Sequence, residues 1–369
     1  MCNNWGGLII DEKFARVLLN RLVPHLEKHN LIPENQCGFR KGRGTTDMIF
    51  AARQLQEKCQ EQYSDLYTSF IDLTKAFDTV CRDGLWKIMA KYGCPDKFIT
   101  MVRQLHDGML ARVLHDSDLS ESFAVTNGAK QGCVLGPILF IMLFSAMLHC
   151  AFTDSQDGIR IRYRTDGKLF NLRRLSAKTK VKEEVIRDLL YADDSALNTS
   201  AADKMQRSLG RLSTACDDFG LTISTTKTEV MYQPAPGKEY STPTFTINGQ
   251  ILPVVDKFTY LGSTLSRNVH VDEEVANRIS KASSAFGRLR SNVWDRKGLS
   301  LSIKLKVYQA IVLSVLLYAS ETWTVYQRYT KKLNRFHLTC LRKLLNISWR
   351  DMIPDTEVLT SEARRSSEY

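Results

Sequence analysis

With 369 residues, 43% apolar and 25% charged, the chain is long enough for a large core and too apolar to be disordered over most of its length. Its 51 Lys and Arg against 40 Asp and Glu leave a formal charge of +11, which favours a polyanionic partner, either nucleic acid or an acidic membrane surface. Nine scattered cysteines, with neither a C-x-x-C pair nor a zinc-finger spacing, argue against a disulfide framework and read as reduced thiols.

"MCNNWGGLII" has no basic segment ahead of a long apolar one, so no signal peptide is read and an intracellular protein is expected. Residues 11–30 have helical spacing, with Phe14, Val17, Leu18 and Leu22 on one face. After the polar, Gly-rich "CGFRKGRGTTD" comes a second helix, "DMIFAARQLQEKCQEQ", then the strand "LYTSFIDL", which ends at Asp72. Residues 83–110 read mainly as helix. "CVLGPILFIMLFSAMLHCAF", Cys133 to Phe152, is about long enough to cross a bilayer. Pro137 in its first turn, His149 within the run and the lack of a second span favour a helix buried in a mixed core.

"GIRIRYRTDGKLFNL" alternates, with Ile159, Ile161 and Tyr163 opposed to Arg160, Arg162 and Arg164, and its Asp166–Gly167 turn predicts a hairpin with a basic face. "VIRDLLYADDSALNT" reads as a second hairpin, with Asp193 and Asp194 near the turn. A helix over about 201–219 ends near Gly220, followed by strands in "LTISTTKTEVMY" and "KFTYLGSTL". From about residue 266 only helices are expected. The last carries Leu333, Phe336, Cys340, Leu341 and Leu344 as an apolar stripe, with Lys331, Lys332, Arg335, Arg342 and Lys343 around it.

Adjacent carboxylates in a partly buried hairpin repel, and both stay ionised only if something positive sits between them. A divalent cation such as Mg²⁺, which takes oxygen ligands, is the simplest candidate. If the strand ending at Asp72 lies beside the "YADD" hairpin, Asp72, Asp193 and Asp194 converge, and two ions roughly 3.5–4 Å apart would suit in-line phosphoryl transfer. Alone, an Asp-Asp pair is more often a turn or a helix cap. The other motifs give it weight.

Taken in order, "NQCGFRKGRGTTDMIF", "FIDLTKAFDTV", "NGAKQGCVLGPILF", "YADD", "GLTISTTKTEVMY" and "FTYLGSTLS" resemble the reverse transcriptase of non-long-terminal-repeat (LINE-type) retrotransposons, from about residue 8 to about 350. That resemblance implies an α/β (α+β) right-hand polymerase fold. Fingers and an antiparallel-sheet palm would occupy 1–265 and a helical thumb 266–350, with a truncated tail over 351–369. It implies an RNA-directed DNA polymerase that extends a primer 3′ end with dNTPs, using two Mg²⁺ ions, with Mn²⁺ able to substitute. Asp72, Asp193 and Asp194 match the catalytic, metal-binding carboxylates, and Lys227 matches a proton donor to the leaving pyrophosphate. Phe77 falls where an aromatic ring would clash with a 2′-hydroxyl. Gln131 and Gly132 match a contact to the incoming nucleotide, Arg40 and Lys41 the triphosphate-binding residues, and Tyr260 and Gly262 the primer grip. For each, a plainer role as core aromatic, turn, solvated loop or strand residue stays open.

The first fingers motif departs from the family pattern: "NNWGGLIIDEKFARVLLNRL" lacks the usual arginine. The chain reads as a polymerase core without the endonuclease domain of such elements, so a separate endonuclease would have to nick the target DNA that primes synthesis. An RNA template, a DNA primer and dNTPs are the expected partners, with no membrane, and a nuclear or cytoplasmic ribonucleoprotein as the setting. Three alternatives stand beside this reading. One is an RNA-templated RNA polymerase, opposed by Phe77 and by "YADD" in place of "GDD". Another is a retired polymerase that only binds nucleic acid. The third is a membrane protein built on residues 133–152.

Overall fold

The computed structural model describes residues 5–115, 118–129, 133–164 and 181–366, in two compact units divided between Asp256 and Lys257. In the first unit, α1 (Trp5–Lys28) and α2 (Thr45–Glu61) precede β1 (Leu66–Ile71). Helices α3 (Arg82–Lys91), α4 (Asp96–Gln104) and α5 (Gly136–Phe152) follow. Next come the paired strands β2 (Ile159–Arg164) and β3 (Val181–Ile186), then β4 (Asp188–Tyr191), β5 (Asp194–Thr199), α6 (Ala202–Phe219) and β6 (Glu229–Gln233).

Four strands form one antiparallel sheet in the order β6-β1-β5-β4. All six residues of β1 are buried, which explains why "LYTSFI" is not a half-polar alternation. Tyr67 lies opposite Tyr232 of β6, the two rings stacked with centroids 4.4 Å apart. Thr68 donates to Asn198 Oδ1 of β5 at 2.8 Å, a polar pair satisfied across strands inside the sheet. Helix α6 lies against the sheet with α5 packed on it, and the Gly220 C-cap adopts the left-handed conformation that ends α6.

Helix α5 is the centre of the core: Leu139, Phe140, Ile141 and Met142 are all fully buried. The apolar run at 133–152 is therefore a core helix enclosed by protein. Among the described residues, one segment, Leu301–Thr322 in the second unit, is long and apolar enough to cross a membrane by length and composition.

Three expectations need correction. Helix α1 buries Ala15, Leu18, Leu22 and Leu26, while Phe14 and Val17 face outward, because the i, i+3, i+4 stripe falls one residue away from the bulkier pair. The strand at 159–164 pairs with 181–186, a partner that was not expected, and the expected turn at Asp166–Gly167 lies outside the described residues. Ile159 and Ile161 bury against Leu55, Cys59 and Leu66, and the acidic Glu183 stands in register opposite Arg162, which favours this partner. Finally, only Glu229–Gln233 of "LTISTTKTEVMYQ" is strand. The residues before it form a loop wrapped around Asp72: Ser224 N donates to Asp72 O at 2.8 Å, and Asp72 N to Thr228 Oγ1 at 3.2 Å.

The second unit opens with a hairpin, β7 (Lys257–Tyr260) and β8 (Ser263–Ser266), followed by helices. These include α7 (Asp272–Arg288), α8 (Leu301–Val307), which runs on through a π turn to Leu316, α9 (Gln327–Leu344) and α10 (Asp355–Ser366). Leu305, Tyr308, Val312 and Leu316 share one buried face with Cys340, Leu341 and Leu344 of α9. Leu333 and Phe336 pack on the rim of that cluster.

Candidate active site

Strand pairing brings the acidic residues together. β1 and β5 run antiparallel with Ile71 opposite Ser195, so Asp72 leaves β1 beside Asp194, the first residue of β5. β4 and β5 form a tight hairpin closed by the Tyr191–Asp194 pair, with Ala192 and Asp193 as its loop. Ala192 adopts φ 57°, the left-handed region that residues with a Cβ avoid. Asp72 and the distant Asp193–Asp194 pair thus share one corner of the sheet.

Their electrostatics are unfavourable. Burial, more than the neighbouring Asp72, pushes the Asp193 carboxyl above the usual carboxylate range. For Asp194, partial burial first, then repulsion from Asp193 and Asp72, pushes it up to about 6. Among the described residues, Lys227 reaches this corner, its Nζ 3.7 Å from Asp72 Oδ2 in a solvent-exposed pair. Among the described residues, no three His, Cys, Asp or Glu side chains close into a ligand shell by themselves. A hard cation that keeps several waters and takes substrate oxygens needs only one or two protein carboxylates, so this open, crowded donor set fits such an ion.

The remaining candidates are dispersed. Phe77 stacks on Phe140 of α5 with centroids 4.4 Å apart and is half-buried. Arg40 is engaged within its own loop: Nη1 donates to Pro33 O at 3.2 Å and Gln36 O at 3.4 Å, while Lys41 is exposed. Gln131 and Gly132 lie outside the described residues. Tyr260 and Gly262 belong to the second unit, where Tyr260 is buried and Tyr318 Oη donates to Leu261 O at 2.8 Å. Arg278 donates to Gly262 O and lies over the Tyr318 ring, which fixes the left-handed Leu261–Gly262 turn.

The sequence reading passed over two residues that shape this region. One is Gln36, whose side chain is wholly buried against the Asp193–Asp194 hairpin. The other is Arg82, nearly buried at the start of α3. Its Nε donates to Gly128 O at 2.9 Å, Nη1 to His106 O at 2.8 Å and Val125 O at 3.0 Å, and Nη2 to Asn127 O at 3.3 Å. It ties down the segment that leads into Gln131. Gly128 must be glycine there, since a Cβ would come within 2.8 Å of Asp78 O and its φ is +87°.

Residues 8–265 match the family model described as "Reverse transcriptase (RNA-dependent DNA polymerase)". The chain belongs to the reverse transcriptase family. Enzymes of this family generally use divalent metals, in keeping with the carboxylate corner. This reverse transcriptase is 24% identical over 356 residues to the RNA-directed DNA polymerase from mobile element jockey of Drosophila melanogaster, covering 93% of this chain and 36% of that protein. The jockey polymerase of Drosophila funebris is 25% identical over 348 residues, covering 92% and 35% respectively. The chain thus spans about a third of the length of these relatives. Telomerase from Candida tropicalis, solved with a fragment of telomeric RNA, aligns with a TM-score of 0.44 at 14% identity, over 99% of this chain and 56% of that one.

Proposed function

We propose that this reverse transcriptase copies an RNA template by adding dNTPs to the 3′ end of a DNA primer, as the names of its relatives suggest. The observation that carries the reading is the meeting of Asp72 with Asp193 and Asp194 at the ends of β1 and β5, where three carboxylates are crowded at a cost that a bound cation would offset. Two Mg²⁺ ions held by these residues would lower the pKa of the primer hydroxyl and neutralise the departing pyrophosphate.

In the step itself, the primer 3′-hydroxyl loses its proton to solvent, its oxygen bonds to the α-phosphorus of the dNTP, and the bond from that phosphorus to the bridging β-phosphate oxygen breaks to release pyrophosphate. Lys227, beside Asp72, is suited to give a proton to the leaving pyrophosphate. The exposed part of Phe77 supports a role against a ribose 2′-hydroxyl, since its stacking on Phe140 denies the ring room to retreat. Gln131 and Gly132 would meet the incoming nucleotide. Lys41, with Arg40 bracing the loop, would meet its triphosphate. The Tyr260–Gly262 turn would offer backbone groups to the primer end. Priming from nicked target DNA would call on an endonuclease and would put the enzyme to work in the nucleus.

The test is primer extension on an RNA template by the purified chain, beside Asp193→Asn. Extension by the wild type and at least about a hundredfold loss in the variant are expected, as for removal of a metal ligand. An inactive wild type, or a variant as active as it, removes the assignment.

A further inference from the structure

We propose that Gln36 is a positioning residue for the catalytic hairpin: it holds Ala192 in its left-handed conformation, so that Asp193 and Asp194 are presented to Asp72. This rests on the reading above. Gln36 lies on the loop after α1 and is 0% exposed. Its side-chain amide closes a two-way clamp on one residue, with Nε2 donating to Ala192 O at 3.1 Å and Oε1 accepting from Ala192 N at 2.9 Å. The same Oε1 accepts from Gly38 N at 2.8 Å. A tight turn leaves backbone groups without ladder partners, and a left-handed residue bearing a Cβ persists only where its surroundings over-determine it. Gln36 meets both needs at the residue immediately before the two aspartates.

The surrounding backbone supports the same reading. β4 is the outer strand of the sheet, and its free edge is taken up by residues 35–37: Leu190 N donates to Asn35 O at 3.1 Å and Cys37 N to Leu190 O at 2.9 Å. Gly38 permits this approach, because a Cβ there would fall on Ala192 N. The carbonyl of Gln36 in turn accepts from Arg40, so the basic loop and the carboxylate hairpin are joined through one residue. Only a side chain with a donor and an acceptor at this reach can clamp both sides of Ala192.

The decisive variant is Gln36→Met, which keeps length and flexibility but has no amide. Primer extension is measured across a Mg²⁺ titration, and Mn²⁺ binding to the nucleotide-free chain is followed by electron paramagnetic resonance. Far-UV circular dichroism and a thermal melt establish the folded fraction. Outer-sphere partners of metal sites typically change metal affinity or activity by about 10–100-fold. The half-saturating Mg²⁺ concentration should therefore rise, and Mn²⁺ affinity fall, by that factor in folded protein. Should Gln36→Met fail to fold, Gln36→Asn retracts the amide by one methylene and carries the same expectation. Wild-type metal dependence in a folded variant, or a loss explained by the folded fraction alone, overturns the proposal. A wild type that extends no primer counts against the polymerase reading, and the Mn²⁺ measurement, which needs no turnover, still decides the role of Gln36.

Discussion

Arg82 offers a sharp test of how the catalytic unit is braced. Arg82→Met keeps an unbranched apolar stem and removes four hydrogen bonds to the carbonyls of residues 106, 125, 127 and 128. Bonds to a charged donor contribute about 1.5–3 kcal/mol each, but the buried guanidinium also carries a desolvation cost that the variant sheds. Burial lowers the Arg82 pKa more than Asp107 raises it, in keeping with such a cost. A net loss of about 3 kcal/mol follows, and at about 2–4 °C per kcal/mol for a unit of this size the thermal midpoint falls by roughly 10 °C. Below that midpoint, the segment leading into Gln131 loses its anchor while the carboxylate corner keeps its strand pairing. The KM for dNTP should rise severalfold in primer extension, with the Mg²⁺ requirement unchanged. A midpoint within about 2 °C of wild type, or an altered Mg²⁺ requirement with unchanged KM, would refute the reasoning.

With divalent cations chelated, Asp194→Asn should be more stable than wild type above neutral pH. The folded carboxyl titrates at about 6 against an ordinary value of 3.8, so the wild type loses stability as pH rises through that window. Allowing for solvent screening at this only partly buried side chain, the gain is about 1 kcal/mol at pH 7.5 and vanishes toward pH 4; melts showing a pH-independent gap would contradict it. Tyr232→Ala removes a ring that is 2% exposed and stacked on Tyr67, and should cost about 3–5 kcal/mol in urea denaturation, while a cost under 1 kcal/mol would mean that the sheet repacks there. Phe77→Val should raise ribonucleotide incorporation relative to dNTP by at least about tenfold if the ring excludes a 2′-hydroxyl, and unchanged discrimination would end that role.

What could be read in advance was what leaves a pattern. "LYTSFIDL" and "LLYADDSALN" were legible as strands from their runs of β-formers, and the meeting of their carboxylates gained weight only from the order of the other motifs. The core nature of residues 133–152 followed from Pro137 and the isolated character of the run. Gln36 and Arg82 were invisible for the opposite reason. A polar residue that folds inward to satisfy backbone groups looks, in sequence, like any surface glutamine or arginine, and its partners at 192 and 128 are set by tertiary approach. The partner of Ile159–Arg164 was missed because the local Asp166–Gly167 turn signal outweighed a more distant strand that sets a single acidic residue, Glu183, opposite Arg162. On α1, helical spacing alone could not choose between the stripe through Phe14 and Val17 and the one through Ala15 and Leu26, since tertiary packing decides it.

The placement of β1 between β5 and β6 also governs how the polypeptide matures. Both neighbours of this fully buried strand are made long after it, from residues 194–199 and 229–233. A nascent chain therefore carries β1 for well over a hundred codons before either edge of the strand can be covered, and such long-range pairing closes slowly. Messages interrupted before Gln233 would yield sticky fragments prone to self-association, so intact translation through that point is a condition for any soluble product.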